Sequence, residues 1–246
     1  DLVAAQQLVN QSVVDGFVIY SVAKGDPHLQ ATRLRGLPTV ICDQPADELD
    51  LPFVGIDDRT AIAPAARALV QAGHRDIGIL SIRLDRERND GRVTRHRLDN
   101  AHHHVQQSRV RGALDIFREA GINPADVPIM ECWLNDRKHN VAVAGALLEA
   151  HPHLTAVLCT TDSLAFGVLE YMSSIGKSVP QDLSVTGFDG TQLALERNLS
   201  TVIQPNKQKG YEAGKLLFSM IENSSDDAGR VLLDTAYNPG TTIREV

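Results

Sequence analysis

Residues 77–82 read IGILSI, an apolar run without polar alternation, and Gly73 closes the helical pattern that precedes it. A strand reads this way when helices cover both faces of its sheet, so the run argues for a parallel α/β arrangement. The helix before it is expected over 60–72. Gly73 can take the left-handed conformation that ends a helix. Working outward, the same alternation continues in both directions. Upstream lie a helix over 2–12, the strand GFVIY (16–20), a helix over 27–35, a strand over 38–42 and FVGI (53–56). Downstream come a helix over 108–120 stopped by Gly121, VPIMEC (127–132), and a helix over 138–150. They are followed by TAVLCT (155–160), a helix over 162–175 stopped by Gly176, and LSVTGFD (183–189). A short extended piece at 201–204, a helix over 207–221 and a closing strand over 231–238 complete the pattern. Strand–helix alternation over two comparable halves predicts two doubly wound α/β subdomains. Ligands in such sheets sit at the carboxyl ends of strands, and the default site is the cleft between two such domains.

One segment breaks the alternation. Residues 83–107, RLDRERNDGRVTRHRLDNAHHHVQQ, are highly polar and too long for an ordinary loop; such a segment is usually functional or disordered. Its histidines invite a metal reading, since helical spacing would put His96 and His103 on one face near Asp99. No compact ligand set or supporting shell is evident, so a polar surface helix is the expectation and no metal is assigned.

Composition bounds the function. The 246 residues are 43% hydrophobic and 22% charged, which suits a globular chain with a sizeable core. No run of about 18 or more uncharged apolar residues occurs, so no membrane span is expected. The net charge of −7 repels phosphate, which makes this segment a poor candidate for direct DNA contact. Cys42, Cys132 and Cys159 are odd in number and widely spaced. Reduced thiols suit them, Cys42 and Cys159 being buried in strand-like stretches, and they point to a cytoplasmic setting. The first residues, DLVAAQQLVN, read as an amphipathic helix already under way, so a piece of a longer polypeptide is expected. Catalytic signatures are missing: there is no G-x-S-x-G elbow, no P-loop and no G-x-G-x-x-G after a strand. No enzyme activity and no cofactor are therefore expected. Asp57-Asp58 reads as an N-terminal cap of the helix that follows.

Four segments together carry a family resemblance. They are GHRDIGIL (73–80), CTTDSLAFG (159–167), VPQDLSVTGFD (179–189) and LSTVIQP (199–205). In this order and spacing the chain resembles the effector-binding domain of the lac-repressor and galactose-repressor family of transcriptional regulators. The resemblance implies a periplasmic-binding-protein-like fold of type I and a small sugar- or nucleoside-like effector. It also implies a homodimer, and DNA binding through a helix-turn-helix domain that these 246 residues do not contain. The alternative from another class is a periplasmic sugar-binding protein of a transport system, which shares the fold. The segments VPQDLSV and LSTVIQP and the odd cysteine count argue against it.

The same resemblance nominates site residues. Gly187 is expected to let the backbone turn at a strand's carboxyl end and so place Asp189, which is either a structural carboxylate or an acceptor for ligand hydroxyls or ring nitrogens. Arg109, in an R-x-x-G helix opening, would offer a rigid fork of donors, whereas Arg111 is expected to be solvated. Gln204 is either a hinge residue or a ligand contact. Trp133, the single tryptophan, either stacks on a ligand face or packs in the core. Tyr20 could face the cleft from the first visible strand. Thr161 stands where the family has Asn, and Gly190 where it commonly has a second acid or Asn; both departures bear on which ligand fits. The expected subdomains are 1–82 plus 206–226, with an incomplete sheet exposing apolar surface, and 83–205 plus 227–246. The crossings fall near 82–84, 204–206 and 225–229. Helices near 162–175 and 191–199 are the candidate dimer contacts.

Overall fold

The computed structural model describes residues 1–223 and 229–246, and in the described residues the chain divides into two compact units. In chain order the elements are α1 (Leu2–Gln11), β1 (Phe17–Tyr20), α2 (Pro27–Arg35), β2 (Thr39–Cys42), β3 (Phe53–Gly55), α3 (Asp58–Ala61) and α4 (Ala63–Gln71). Next come β4 (Ile77–Ile82), β5 (Gly91–Arg92), α5 (Arg95–Asp99), α6 (His104–Glu119), β6 (Ile129–Cys132), α7 (Arg137–Ala150) and β7 (Ala156–Cys159). The last are α8 (Asp162–Ser174), β8 (Ser184–Asp189), α9 (Gln192–Glu196), β9 (Ser200–Ile203), α10 (Asn206–Asn223), β10 (Arg230–Leu232) and β11 (Ala236–Asn238).

The first unit holds Asp1–Asp57, His102–Val105 and Pro205–Asp234. Its described strands form a parallel sheet in the order β1-β2-β3-β10. Alternate residues of β2 serve opposite faces, as strand geometry requires. Val40 and Cys42 pack with Ala213 of α10, while Ile41 packs with Leu29 of α2 and with Phe53. Val18 and Tyr20 of β1 are exposed, which is the apolar surface expected on this sheet.

The second unit holds Asp58–Ala101, Gln106–Gln204 and Thr235–Val246. Its sheet runs β11-β9-β8-β7-β4-β6-β5. The strands from β9 to β6 are mutually parallel, and antiparallel β11 and β5 flank them. IGILSI pairs with β6 and β7, and its flanks are covered as its apolar pattern required: Leu80 joins Leu147, Val157, Leu164 and Val168 in one cluster with α7 and α8. The three cysteines are free and buried.

Four expectations change in detail. The boundary expected near 82 lies at Asp57/Asp58, because β4 is paired on both sides within the second sheet. The last crossing, expected near 225–229, lies at Asp234/Thr235. The expected helix over 60–72 is two helices, α3 and α4, joined at Ile62. Pro64 starts the second, since it cannot donate to the preceding turn and its ring crowds the carbonyl of Thr60. The expected strand over 231–238 is also two, with β10 in the first sheet and β11 in the second.

The polar segment 83–107 is divided between the units: residues 83–101 lie in the second, where β5 joins the sheet, and His102–Val105 lie in the first. Glu131 on β6 is fully buried, and its carboxylate accepts from Arg97 Nε (2.5 Å) and Nη2 (3.0 Å), Asn89 Nδ2 (3.1 Å) and the Leu84 amide (2.8 Å). β5 pairs with β6 on the same stretch. α5 ends at Asp99 and α6 begins at His104, so His96 and His103 do not share a continuous helix face. His96 lies beside Asn100, and His103 is buried near Gln44. Among the described residues no group of three or more His, Cys, Asp or Glu side chains is placed to hold a metal ion.

A buried ion pair that loses one partner leaves an uncompensated charge. Glu131→Ala is therefore expected to destabilise the chain by roughly 3 kcal/mol in urea unfolding. Trypsin should then cleave within 83–99 faster than in the parent protein. Unchanged cleavage there would show that Glu131 does not hold the segment.

Candidate functional site

The carboxyl ends of β7 and β8 bring together three of the residues that the sequence singled out, Asp189, Gln204 and Arg109. β8 ends on Asp189, whose φ of 123° lies in a region costly for a residue with a side chain. Gly190 follows with φ 64°, and a Cβ there would lie 2.6 Å from Ile203 Cα. The tight turn thus falls on Gly190. Gly187 has a different role from the one expected: it gives room, since a Cβ on it would sit 2.5 Å from Asp162 Oδ1.

Two expected partners converge on Asp189. Gln204, just after β9, donates from Nε2 to Asp189 Oδ1 at 2.7 Å, and its backbone amide donates to the Asp189 carbonyl at 3.1 Å. Arg109 on α6 is 6% exposed. Its Nε donates to Asp58 Oδ1 at 2.7 Å, and its Nη1 donates to the Thr160 carbonyl at 2.8 Å and lies 3.5 Å from Asp189 Oδ1. The guanidinium carbon stands 3.7 Å from the centre of the Phe188 ring, a cation–π contact. One cation therefore ties α3, α6 and the ends of β7 and β8 together. Asp162 lies alongside, buried, with Oδ1 accepting from Thr201 Oγ1 (2.6 Å) and Oδ2 from the Thr191 amide (2.7 Å).

The remaining nominated residues are placed differently. Thr161 is buried at the N-cap of α8, where its Oγ1 accepts from the Leu164 amide at 3.3 Å and lies 2.9 Å from Ser163 Oγ. Trp133 follows β6, half-buried, with its amide donating to Asp90 Oδ1 at 2.8 Å. Tyr20 belongs to the first unit, is 63% exposed, and lines a cavity of about 300 Å³ with Cys42 and Lys209. Arg111 is partly exposed and pairs with Asp99 at 3.0 Å. The sequence reading missed two partners. Asp58, read as a helix cap, is the buried counter-ion of Arg109; they lie 51 residues apart, and no local pattern links them. In the first unit, buried Lys209 donates to both oxygens of Asp43, at 2.8 and 3.0 Å, and those residues lie 166 apart.

Residues 66–243 match the family described as periplasmic binding protein-like domain. The HTH-type transcriptional regulator IpsA of Corynebacterium glutamicum is 63% identical over 246 residues, which are 100% of this chain and 68% of that protein. The chain belongs to the lac-repressor family. A second relative, an HTH-type transcriptional regulator of Mycobacterium tuberculosis, is 41% identical over 83% of this chain and 57% of its own length. A crystal structure of a LacI-family transcriptional regulator from Corynebacterium glutamicum superposes with a TM-score of 0.95 at 64% identity, covering 99% of this chain and 72% of that one. The chain thus spans between 57% and 68% of the length of these two curated relatives. Its two units, each with a parallel-dominated sheet, are the fold of the lac-repressor family's periplasmic-binding-protein-like domain. Among the described residues no helix is long and apolar enough to cross a membrane.

The electrostatics of the cluster centre on Asp189. Burial pushes its carboxyl up to about 6; the Arg109 guanidinium opposes this, the Asp162 carboxylate adds to it, and the Gln204 amide opposes it. Burial also raises the Asp162 carboxyl above its ordinary value, against the hydrogen bonds from Thr201 and Thr191. A folded-state value above the ordinary 3.8 means that the folded protein keeps a proton the unfolded chain releases. The corresponding stabilisation is present below about pH 4 and is lost as the pH rises through about 6. Carbon-13 NMR of the Asp189 carboxyl should therefore give a midpoint near 6, and the stability of the parent relative to Asp189→Asn should fall between those two pH values. A midpoint at the ordinary carboxylate value would contradict this account of the cluster.

Proposed function

We propose that this chain is the effector-binding core of a cytoplasmic transcriptional repressor, and that it takes a small sugar- or nucleoside-like ligand at Asp189, Gln204 and Arg109. The observation that carries the reading is Asp189 itself. It is a strained residue at a strand's carboxyl end, with a carboxyl raised by burial, a side chain still 25% exposed, and an amide and a guanidinium aimed at it. Strain of this kind persists where the surrounding structure over-determines it, and it clusters at ligand sites. A carboxylate accepts from ligand hydroxyls or ring nitrogens, and the amide of Gln204 can both donate and accept. Arg109 is committed to Asp58 and Thr160, so its part is to position the carboxylate and set its charge. No reaction is assigned to the site.

The kinship with HTH-type transcriptional regulators favours this reading over a transport-linked sugar-binding protein. DNA would be bound by a helix-turn-helix domain outside these residues, and a homodimer would present two of them. On α9, Leu193 and Leu195 are exposed apolar side chains suited to a dimer contact, whereas α8 buries Leu164, Val168 and Met172 in its own unit. The effector changes DNA affinity only if it binds the two states of the repressor unequally.

A thermal-shift screen of sugars, nucleosides and bases tests the site. A ligand at about 100 times its dissociation constant should add about 2.7 kcal/mol of stability. Each hit is then repeated with Asp189→Asn and Gln204→Leu, which spare the buried Asp58–Arg109 pair. Loss of the shift in both variants is expected. A hit that survives both would remove the ligand from this cluster.

A further inference from the structure

A second cavity opens elsewhere in the second unit, between the 91–99 stretch of the polar segment, the exposed side of α6 and the loop leading into β6. Its volume is about 960 Å³, within the roughly 300–1,000 Å³ range of small-molecule sites. Five arginines line it: Arg59 from α3, Arg92 from β5, Arg95 from α5, and Arg111 and Arg118 from α6. Against them stand the carboxylates Asp99, Asp115 and Asp126, so the cavity is locally positive on a chain whose net charge is −7. Its floor is apolar: Val93, Leu98, Leu114, Val127 and Ile129 are buried side chains that line it.

The cationic groups are not all neutralised. Arg59 and Arg118 share Asp115, at 2.6 and 3.0 Å. Arg111 and Arg95 share Asp99, at 3.0 and 3.7 Å, the latter being a loose contact of a solvated side chain. Among the described residues, the Arg92 guanidinium has no acceptor. The wall that carries Arg92 and Arg95 is held in place by the buried Glu131–Arg97 pair and by the pairing of β5 with β6. Guanidinium groups carried on a fixed backbone segment, over an apolar floor, match a ligand with an oxyanion at one end and an apolar body at the other.

We propose that this cavity is a second ligand site, distinct from the Asp189 cluster, for a small molecule that joins a phosphate or carboxylate group to an apolar body. Guanidinium forks take the oxyanion, and the floor of valine, leucine and isoleucine takes the body. The proposal is independent of the Asp189 reading and can stand or fall without it.

Isothermal titration of the 246-residue chain with phenyl phosphate, benzoate and inorganic phosphate tests it. Saturable binding of phenyl phosphate or benzoate is expected, and which of the two binds distinguishes the phosphate source from the carboxylate one. The double variant Arg92→Ser/Arg111→Gln should weaken it by about tenfold or more. Asp189→Asn should leave it unchanged. The substituted arginines lie on the surface, and retained dispersion of the amide NMR spectrum checks that the double variant is folded. Three results would overturn the proposal: no saturation by either organic probe at about 10 mM, inorganic phosphate binding as tightly as the organic probes, or binding that follows Asp189 and ignores the arginine pair.

Discussion

The buried guanidinium of Arg109 is the interaction on which the candidate site depends. Taking a cation out of water costs several kcal/mol unless charge and hydrogen bonds replace the lost hydration. Asp58, the Thr160 carbonyl, the Phe188 ring and Asp189 together supply that replacement. Asp58 takes Nε, the Thr160 carbonyl and Asp189 both face Nη1, and the Phe188 ring covers one face of the planar group. The ends of β7 and β8 are fixed relative to α3 and α6 as a result. Asp189 is then held in a strained conformation, with its carboxyl lifted by burial against the opposing pull of the Arg109 cation.

Toward the β5 edge of the same sheet the device recurs with the signs reversed. There a buried carboxylate, Glu131, gathers Arg97, Asn89 and the Leu84 amide, and so turns a polar stretch into an ordered wall. Both networks anchor a long-range element to a strand through one buried charge whose partners are distant in sequence. The first unit has a third example in Lys209 and Asp43. Each such pair is weak evidence for stability and stronger evidence for a specified arrangement, since a lone partner would be left as a buried, uncompensated charge.

Most helices and strands were legible because their signals are local. IGILSI, TAVLCT and LSVTGFD show their burial in their composition, and Gly73, Gly121 and Gly176 end helices in the left-handed conformation. The misread elements were those whose local pattern fits two outcomes. A helical period runs through Pro64, and the proline decides that two helices form. The stretch 231–238 reads as one strand, yet its halves pair with different sheets. Of the nominated site residues, Asp189, Arg109 and Gln204 do assemble, whereas Thr161 is occupied as a helix cap and Tyr20 lies in the other unit.

The sequence by itself determined the α/β class, the parallel character of the sheets, the glycine helix stops and the family, because apolar period, helix stops and short motifs are properties of neighbouring residues. Only the tertiary structure decided that Asp58 is the counter-ion of Arg109, that Gly187 makes room for Asp162, and that residues 83–99 form an arginine-bearing wall. Those outcomes come from pairings between residues separated by 51, 25 and 34 or more positions. A buried charge selects its partner by geometry and desolvation, and nothing in the residues next to it along the chain records that choice.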